Sequence, residues 1–196
     1  YDYECPSYLL LHFQLHQLGY ESIHAVMPTG YAKADQLSVD SLWQTLFSDN
    51  PTYCFERNTS NRPGQANGVI IGGNLSLIND SIGTVSDIDF SNKILFIEDL
   101  DEYLYHIDRM LQNLLRNDYF EGLEGLIVGG MTQMHDNDIP FGKNAAEIIL
   151  DICSEYDFPI AFNFPAGHLE DNQALILGRK ADLMVNKNGV ILSFKE

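Results

Sequence analysis

The 196-residue sequence is short of basic side chains, of cysteine and of long apolar runs, and each shortage excludes something. Lys and Arg number 11 against 28 Asp and Glu, a formal charge of −17. A surface of that sign repels phosphate backbones and anionic lipid, which excludes nucleic acid and membrane surfaces as partners. The longest apolar run, around Tyr8 to Leu11, is far below the length of a membrane span. No basic segment followed by an apolar stretch opens the chain, so no signal peptide is expected and the expected compartment is the cytoplasm. The three cysteines, Cys5, Cys54 and Cys153, lie far apart without CxxC spacing. That argues against a disulfide framework and a zinc knot, and fits a reducing compartment. Internal repeats and low-complexity tracts are also missing.

What is present is globular. Hydrophobic residues make up 45% and charged ones 20%, enough for one substantial core or two small ones. Leu11, Leu15 and Leu18 recur at helical spacing and predict a helix over Tyr8–Leu18, closed by Gly19. Ser22–Met27 reads as a strand ended by Pro28. Ser38–Phe47 reads as a helix with Ser38 as N-cap and Leu42 and Leu46 on its apolar face. The polar stretch Pro51–Gly68 reads as a loop, with Tyr53–Glu56 a possible strand, and suggests a boundary between a unit over residues 1–60 and one over 61–196. Beyond it the signals sharpen. Val69–Gly72, Ile94–Ile97, Leu123–Val128 and Pro159–Phe164 are apolar strands, and Leu75–Asn79, Glu102–Arg116 and Ala145–Tyr156 are helices between them. The turn Asp99–Asp101 is expected to cap the second of these helices. Asp182–Asn186 and Val190–Phe194 flank Asn188-Gly189, a hairpin turn. Strands alternating with helices predict an α/β fold: a partial N-terminal α/β lobe and a C-terminal mixed-sheet α/β lobe.

Two chemistry-bearing residues stand directly after apolar strands. Glu98 ends one, and His168 follows another through Pro165-Ala166-Gly167. In open α/β sheets ligands gather at the carboxyl ends of strands. A carboxylate that holds an imidazole is the orienting half of a nucleophilic triad. The competing reading is a helix-capping glutamate and a loop histidine. Gly72-Gly73-Asn74, before a helix, either presents N–H groups to an anion or is an ordinary strand-to-helix turn. His12 and His16, four apart, lack the glutamate of an HExxH zinc motif. His135-Asp136-Asn137-Asp138 lacks the remainder of a calcium loop and reads as a polar turn. No metal or cofactor is therefore expected. Asp108 and Arg109 suggest an ion pair, and Trp43, Tyr103, Tyr105 and Phe120 suggest core.

A resemblance sharpens the first pair. Gly72-Gly73-Asn74-Leu75-Ser76-Leu77, Gly83-Thr84, Ile94-Leu95-Phe96-Ile97-Glu98-Asp99, Tyr105-His106-Ile107-Asp108-Arg109-Met110-Leu111, Gly125–Gly130 and Phe164-Pro165-Ala166-Gly167-His168 form an ordered series. It resembles the LD-carboxypeptidase family of serine peptidases, which includes the microcin C immunity peptidases, from about Leu11 to the C-terminus. The resemblance implies a nucleophile-bearing lobe and a smaller C-terminal lobe supplying a glutamate and a histidine, which match Glu98 and His168. It implies hydrolysis, without cofactor, of the bond to a terminal D-alanine in murein peptides. Gly73 and Asn74 are then the expected substrate-binding turn.

The start of the chain departs from that pattern. The family's Gly-aromatic-Ser-Asp turn occurs nowhere, and ungapped counting places Pro6 on the serine, with Ser7 and Cys5 one place off. Ser7 is the candidate nucleophile only if the turn re-registers; otherwise a serine comes from outside these residues. The rival expectation is a non-catalytic remnant that binds a murein peptide or a partner subunit. A half-built lobe leaves sheet edge and apolar surface uncovered, which favours a homodimer.

Overall fold

The computed structural model describes residues 7–47 and 51–194, with the side chain of Ser7 outside the description. Cys5 and Pro6 therefore lie outside the described residues. The chain is mixed α/β, and its centre is a seven-stranded sheet. Helix α1 (Ser7–Gln17), strand β1 (Ser22–His24), helix α2 (Gln36–Phe47) and strand β2 (Thr52–Phe55) come first. Strand β3 (Gly64–Asn74), helix α3 (Leu75–Ser81), strand β4 (Lys93–Leu100), helix α4 (Leu104–Arg116), strand β5 (Gly125–Thr132), helix α5 (Ala145–Ile152) and strand β6 (Ile160–Ala161) form the middle. Strands β7 (Leu175–Leu177), β8 (Lys180–Asn186) and β9 (Gly189–Phe194) complete it.

The sheet order is β2-β9-β8-β3-β4-β5-β6, and β1 pairs with β7 in a separate two-stranded sheet. Strand β3 changes partners along its length. Gly64–Val69 runs antiparallel to β8, then Val69–Asn74 runs parallel to β4. Only the second half is apolar, so only that half is visible as a strand in the sequence. From there β3, β4, β5 and β6 are parallel, each connection carrying a helix, so their carboxyl ends share one edge. The edge strand β2 lies on the N-terminal side of the boundary expected near residue 60, and pairs with β9 in this sheet.

Period-two alternation divides the buried side chains between two faces. Leu95, Ile97, Leu126 and Val128 meet α3, α4 and α5 through Ile78, Leu111, Leu114 and Ile149. Ile70, Ile94, Phe96 and Ile127 join Phe164, Leu175, Leu177, Leu183 and Leu192 on the other face. Each such side chain stabilises the fold by roughly 2 kcal/mol through removal from water.

Several expectations are corrected. In α1 the buried residues are Leu9 and Phe13, four apart, while Leu11 faces outward, as does Leu18 just beyond the helix end. In α2 Ser38 and Thr45 are buried, while Leu46, Phe47 and Trp43 are exposed. Apolar period alone does not choose the docked face when both faces are apolar. Ser38 does not cap α2: Asp35 accepts from the Ser38 N–H at 2.7 Å, and the Ser38 hydroxyl is held between Glu170 and Asn172. Tyr103 and Tyr105 are partly exposed, although Phe120 is core. Arg109 lies over the Tyr105 ring at 5.5 Å.

Candidate active site

Strand β4 delivers Glu98 and Asp99 to the carboxyl edge of the parallel strands, and a register shift between Ile97 and Asp99 marks a bulge there. Bulges re-aim side chains at strand ends. Glu98 is fully buried. Its Oε2 accepts from His168 Nδ1 at 2.7 Å and from the His168 backbone N–H at 3.3 Å. A carboxylate only accepts, so Nδ1 carries the proton and Nε2 is the ring nitrogen turned away from Glu98.

Close backbone approach brings the histidine there. Gly167 has φ +104°, and a Cβ on it would lie 2.8 Å from Glu98 Cβ and 2.9 Å from Oε2. Only glycine lets the loop close over the carboxylate. Below it, the Gly130 N–H donates to Ala166 O at 3.0 Å, and a Cβ on Gly129 would meet that same oxygen at 2.4 Å. Thr132 Oγ1 donates to His168 O at 3.0 Å, and the Gly167 N–H donates to Asn172 Oδ1 at 3.0 Å. The imidazole lines an open pocket of about 700 Å³ with Gly129 to Gln133, Asn163, Pro165 and Leu169 to Asp171.

The other expected site residues lie close by. Gly73 and Asn74 end β3 beside Glu98, in register across the parallel pair. The Asn74 side chain is engaged internally: Oδ1 accepts from Leu77 N–H at 3.2 Å and Ser76 Oγ at 2.6 Å, and Nδ2 donates to Asp99 Oδ1 at 3.0 Å. Gly73 and Asn74 also line a second cavity of about 430 Å³, with His12, Ser22, His24 and Leu42. In it His12 Nδ1 bonds Ser22 Oγ at 2.7 Å. Burial, with His24 adding to it, pushes the His12 imidazole down to about 4. Ser7 begins α1, whose Leu9 and His12 line this cavity.

Sequence reading misread Asp99. It does not cap α4, whose N-cap Tyr103 makes no side-chain bond. It is buried and turns to α3, accepting from Ser76 N–H at 3.1 Å as well as from Asn74. Its visible signal was a second acid at the end of an apolar strand. The His135 loop is a polar turn: His135 Nε2 meets Asp101 Oδ1 at 2.5 Å, and Asp136 accepts from Phe141 N–H at 3.0 Å. Among the described residues no group of His, Cys, Asp or Glu has the makings of a metal site.

A buried carboxylate that holds an imidazole at the carboxyl edge of a parallel sheet is an arrangement able to orient a proton-transferring base. The LD-carboxypeptidase C-terminal domain model matches residues 67–183, and the chain belongs to that family. The probable murein peptide carboxypeptidase of Bacillus subtilis (strain 168) is 32% identical over 181 residues, covering 87% of this chain and 56% of that protein. The chain thus spans a little over half the length of this relative. The muramoyltetrapeptide carboxypeptidase from Oxalobacter formigenes superposes with a TM-score of 0.88 at 22% identity, covering 96% of this chain and 66% of that one. The microcin C7 self-immunity protein MccF, solved with glutamyl sulfamoyl guanosine, superposes at 0.81 and 16% identity, covering 98% and 66%.

Proposed function

We propose that the chain carries the acid–base half of an LD-carboxypeptidase-like serine peptidase that hydrolyses the bond to a C-terminal D-amino acid in murein-type peptides. The observation that carries the reading is the 2.7 Å bond from His168 Nδ1 to a fully buried Glu98. Glu98 fixes the tautomer and stabilises the imidazolium. His168 Nε2 takes the proton from an attacking hydroxyl and later returns it to the leaving amine. The hydroxyl belongs to Ser7 or to a serine outside these residues, and residues 61–196 form the lobe that supplies the pair. Gly73 and Asn74 present backbone N–H groups to the substrate carboxylate, since the Asn74 side chain is already engaged.

The test is release of D-alanine from a murein tetrapeptide by the 196-residue chain, with binding of the same peptide measured in parallel. Turnover supports the hydrolase, and stoichiometric labelling of Ser7 by a serine-reactive phosphonate identifies the nucleophile within the chain. Binding without turnover or labelling places the nucleophile elsewhere. A chain that neither binds nor cleaves the peptide overturns the reading.

A second reading, a non-catalytic remnant that binds the peptide or a copy of itself, is favoured by the outward apolar residues of α1 and α2. Leu18 is 71% exposed and Phe47 76%. On this reading the chain sediments as a dimer, and Trp43→Glu with Phe47→Glu returns it to monomer. Sedimentation as a monomer in the unaltered chain removes the self-association.

A further inference from the structure

We propose that Asp99 is a positioning residue for the Glu98–His168 pair: by clamping the bulged end of β4 to the start of α3 it fixes the direction in which Glu98 is presented. The inference rests on the reading of Glu98 and His168 as the acid–base pair.

Glu98 lies inside the register shift between Ile97 and Asp99, where ladder pairing to β5 is interrupted. Glu98 keeps its pairing with Asn74 of β3 but has lost it on the β5 side, so the hold on the next residue matters for its direction. Asp99, the next residue, is held from three sides. Its Oδ1 accepts from Asn74 Nδ2 at 3.0 Å and from the Leu100 N–H at 2.9 Å, and its Oδ2 accepts from the Ser76 N–H at 3.1 Å. The donors belong to the end of β3, the first turn of α3 and β4 itself. The N-cap Asn74 accepts from Leu77 N–H, and Asp99 accepts from Ser76 N–H, another first-turn donor, so the same carboxyl ties the start of α3 to the strand end.

Glu98 and Asp99 make their hydrogen bonds to different structures, Glu98 to the His168 loop and Asp99 to the Asn74 turn and α3. The peptide between them is pinned at both sides, and rotation about it would move both carboxylates. Gly167 leaves no slack on the histidine side, since its α-carbon packs directly on Glu98. A small rotation of Glu98 would therefore break the 2.7 Å bond. Keeping a carboxyl at this place is costly: burial lifts Asp99 to about 7, and the neighbouring charges of Glu98 and Glu102 add to it. An ionisable group held against such a penalty, adjacent in sequence to Glu98, fits a specific task.

The test reads the pair directly. His168 is followed by NMR in the full 196-residue chain, through its Nδ1–H signal and the titration of its Cε1–H. Asp99→Asn keeps the shape, while Asp99→Ala removes the clamp. Asn74→Asp, also isosteric, breaks it from the partner side by setting two carboxyls against each other. In each variant that keeps the wild-type circular dichroism, the His168 titration moves to lower pH and the Nδ1–H signal moves upfield, because the imidazolium has lost its aligned carboxylate. The exchange Asn74→Asp with Asp99→Asn restores a donor and an acceptor across the gap and returns both signals towards wild type. A folded single variant with wild-type His168 signals overturns the inference. The peptidase reading fails separately, through absent binding and D-alanine release while the His168 signals shift as described.

Discussion

Gly167 carries the tightest constraint at the residue scale, because the carboxylate beneath it leaves no room for a β-carbon. Gly167→Ala adds left-handed backbone strain to a steric conflict with Glu98, and should cost about 2 kcal/mol or more. Thermal unfolding measures the cost, and His168 NMR shows the bond to Glu98 lost; an unchanged melting point would contradict the packing. Glu98→Gln behaves differently. The buried carboxylate has one oxygen, Oε1, without a hydrogen-bond partner among the described residues. An amide removes the charge but leaves its NH2 without an acceptor there, so the two effects oppose each other and the melting temperature changes little. Function falls, since the amide disturbs the tautomer that the carboxylate enforces. Where a nucleophile is present or supplied, D-alanine release should fall by roughly 10²–10⁴ in Glu98→Gln and further in His168→Ala, which removes the base itself. Wild-type turnover in either variant would end the assignment of roles.

At the scale of elements, legibility followed the strength of the local signal. The second half of β3, the core of β4, α4 and the β8–β9 hairpin were all visible, since each couples an apolar period to a turn residue. Strand β7 was not. Leu175–Leu177 is a three-residue apolar run that looks like core in any setting, and only its pairing with β1 makes it a strand. Strand β6 shrank to Ile160–Ala161 because the chain leaves the sheet after Ala161 to carry Pro165–His168 over Glu98. For the candidate site, position after apolar strands left a capping glutamate and a loop histidine as rivals, and only the family resemblance joined Glu98 to His168, which the fold brings to 2.7 Å. The Asp99 clamp was not legible, because a run of acids before a helix reads as a cap, and only the fold shows α3 to be nearer. Capping chemistry that was overlooked is testable at α5. Asn144 accepts from Glu147 N–H at 3.0 Å while Glu147 Oε2 accepts from Asn144 N–H at 2.8 Å, a reciprocal box at the helix start. Asn144→Ala should cost about 1 kcal/mol in chemical denaturation without shifting the His168 signals. A loss confined to the pocket, with stability untouched, would contradict that division.

Across the whole molecule, buried Asp99 and half-buried His12 pull the pH dependence of stability in opposite directions. Burial raises Asp99 from 3.8 to about 7, so between those values the folded chain holds a proton that the unfolded chain has released. Stability from this group is full below about pH 4 and is lost as the pH rises through 7. His12 has the reverse sign. Burial lowers it from 6.5 to about 4, so over that interval the unfolded chain binds the extra proton, and the contribution is full above 6.5 and lost as the pH falls through 4. Asp99 is worth at most about 4 kcal/mol and His12 at most about 3 kcal/mol, each across its window, and over pH 4 to 6.5 they largely offset. The net curve is therefore uninformative, and the individual curves must be isolated by difference. The stability of the unaltered chain minus that of Asp99→Asn should fall as pH rises from 4 to 7. The corresponding difference for His12→Phe should rise from 4 to 6.5 and then level. Surface repulsion from a net charge of −17 cancels in His12→Phe above its titration and changes by one unit in Asp99→Asn, too little to reverse either slope. Denaturant titrations at half-unit intervals in constant ionic strength resolve both slopes. Curves that run parallel to the unaltered chain would mean that neither group is buried as the fold places it.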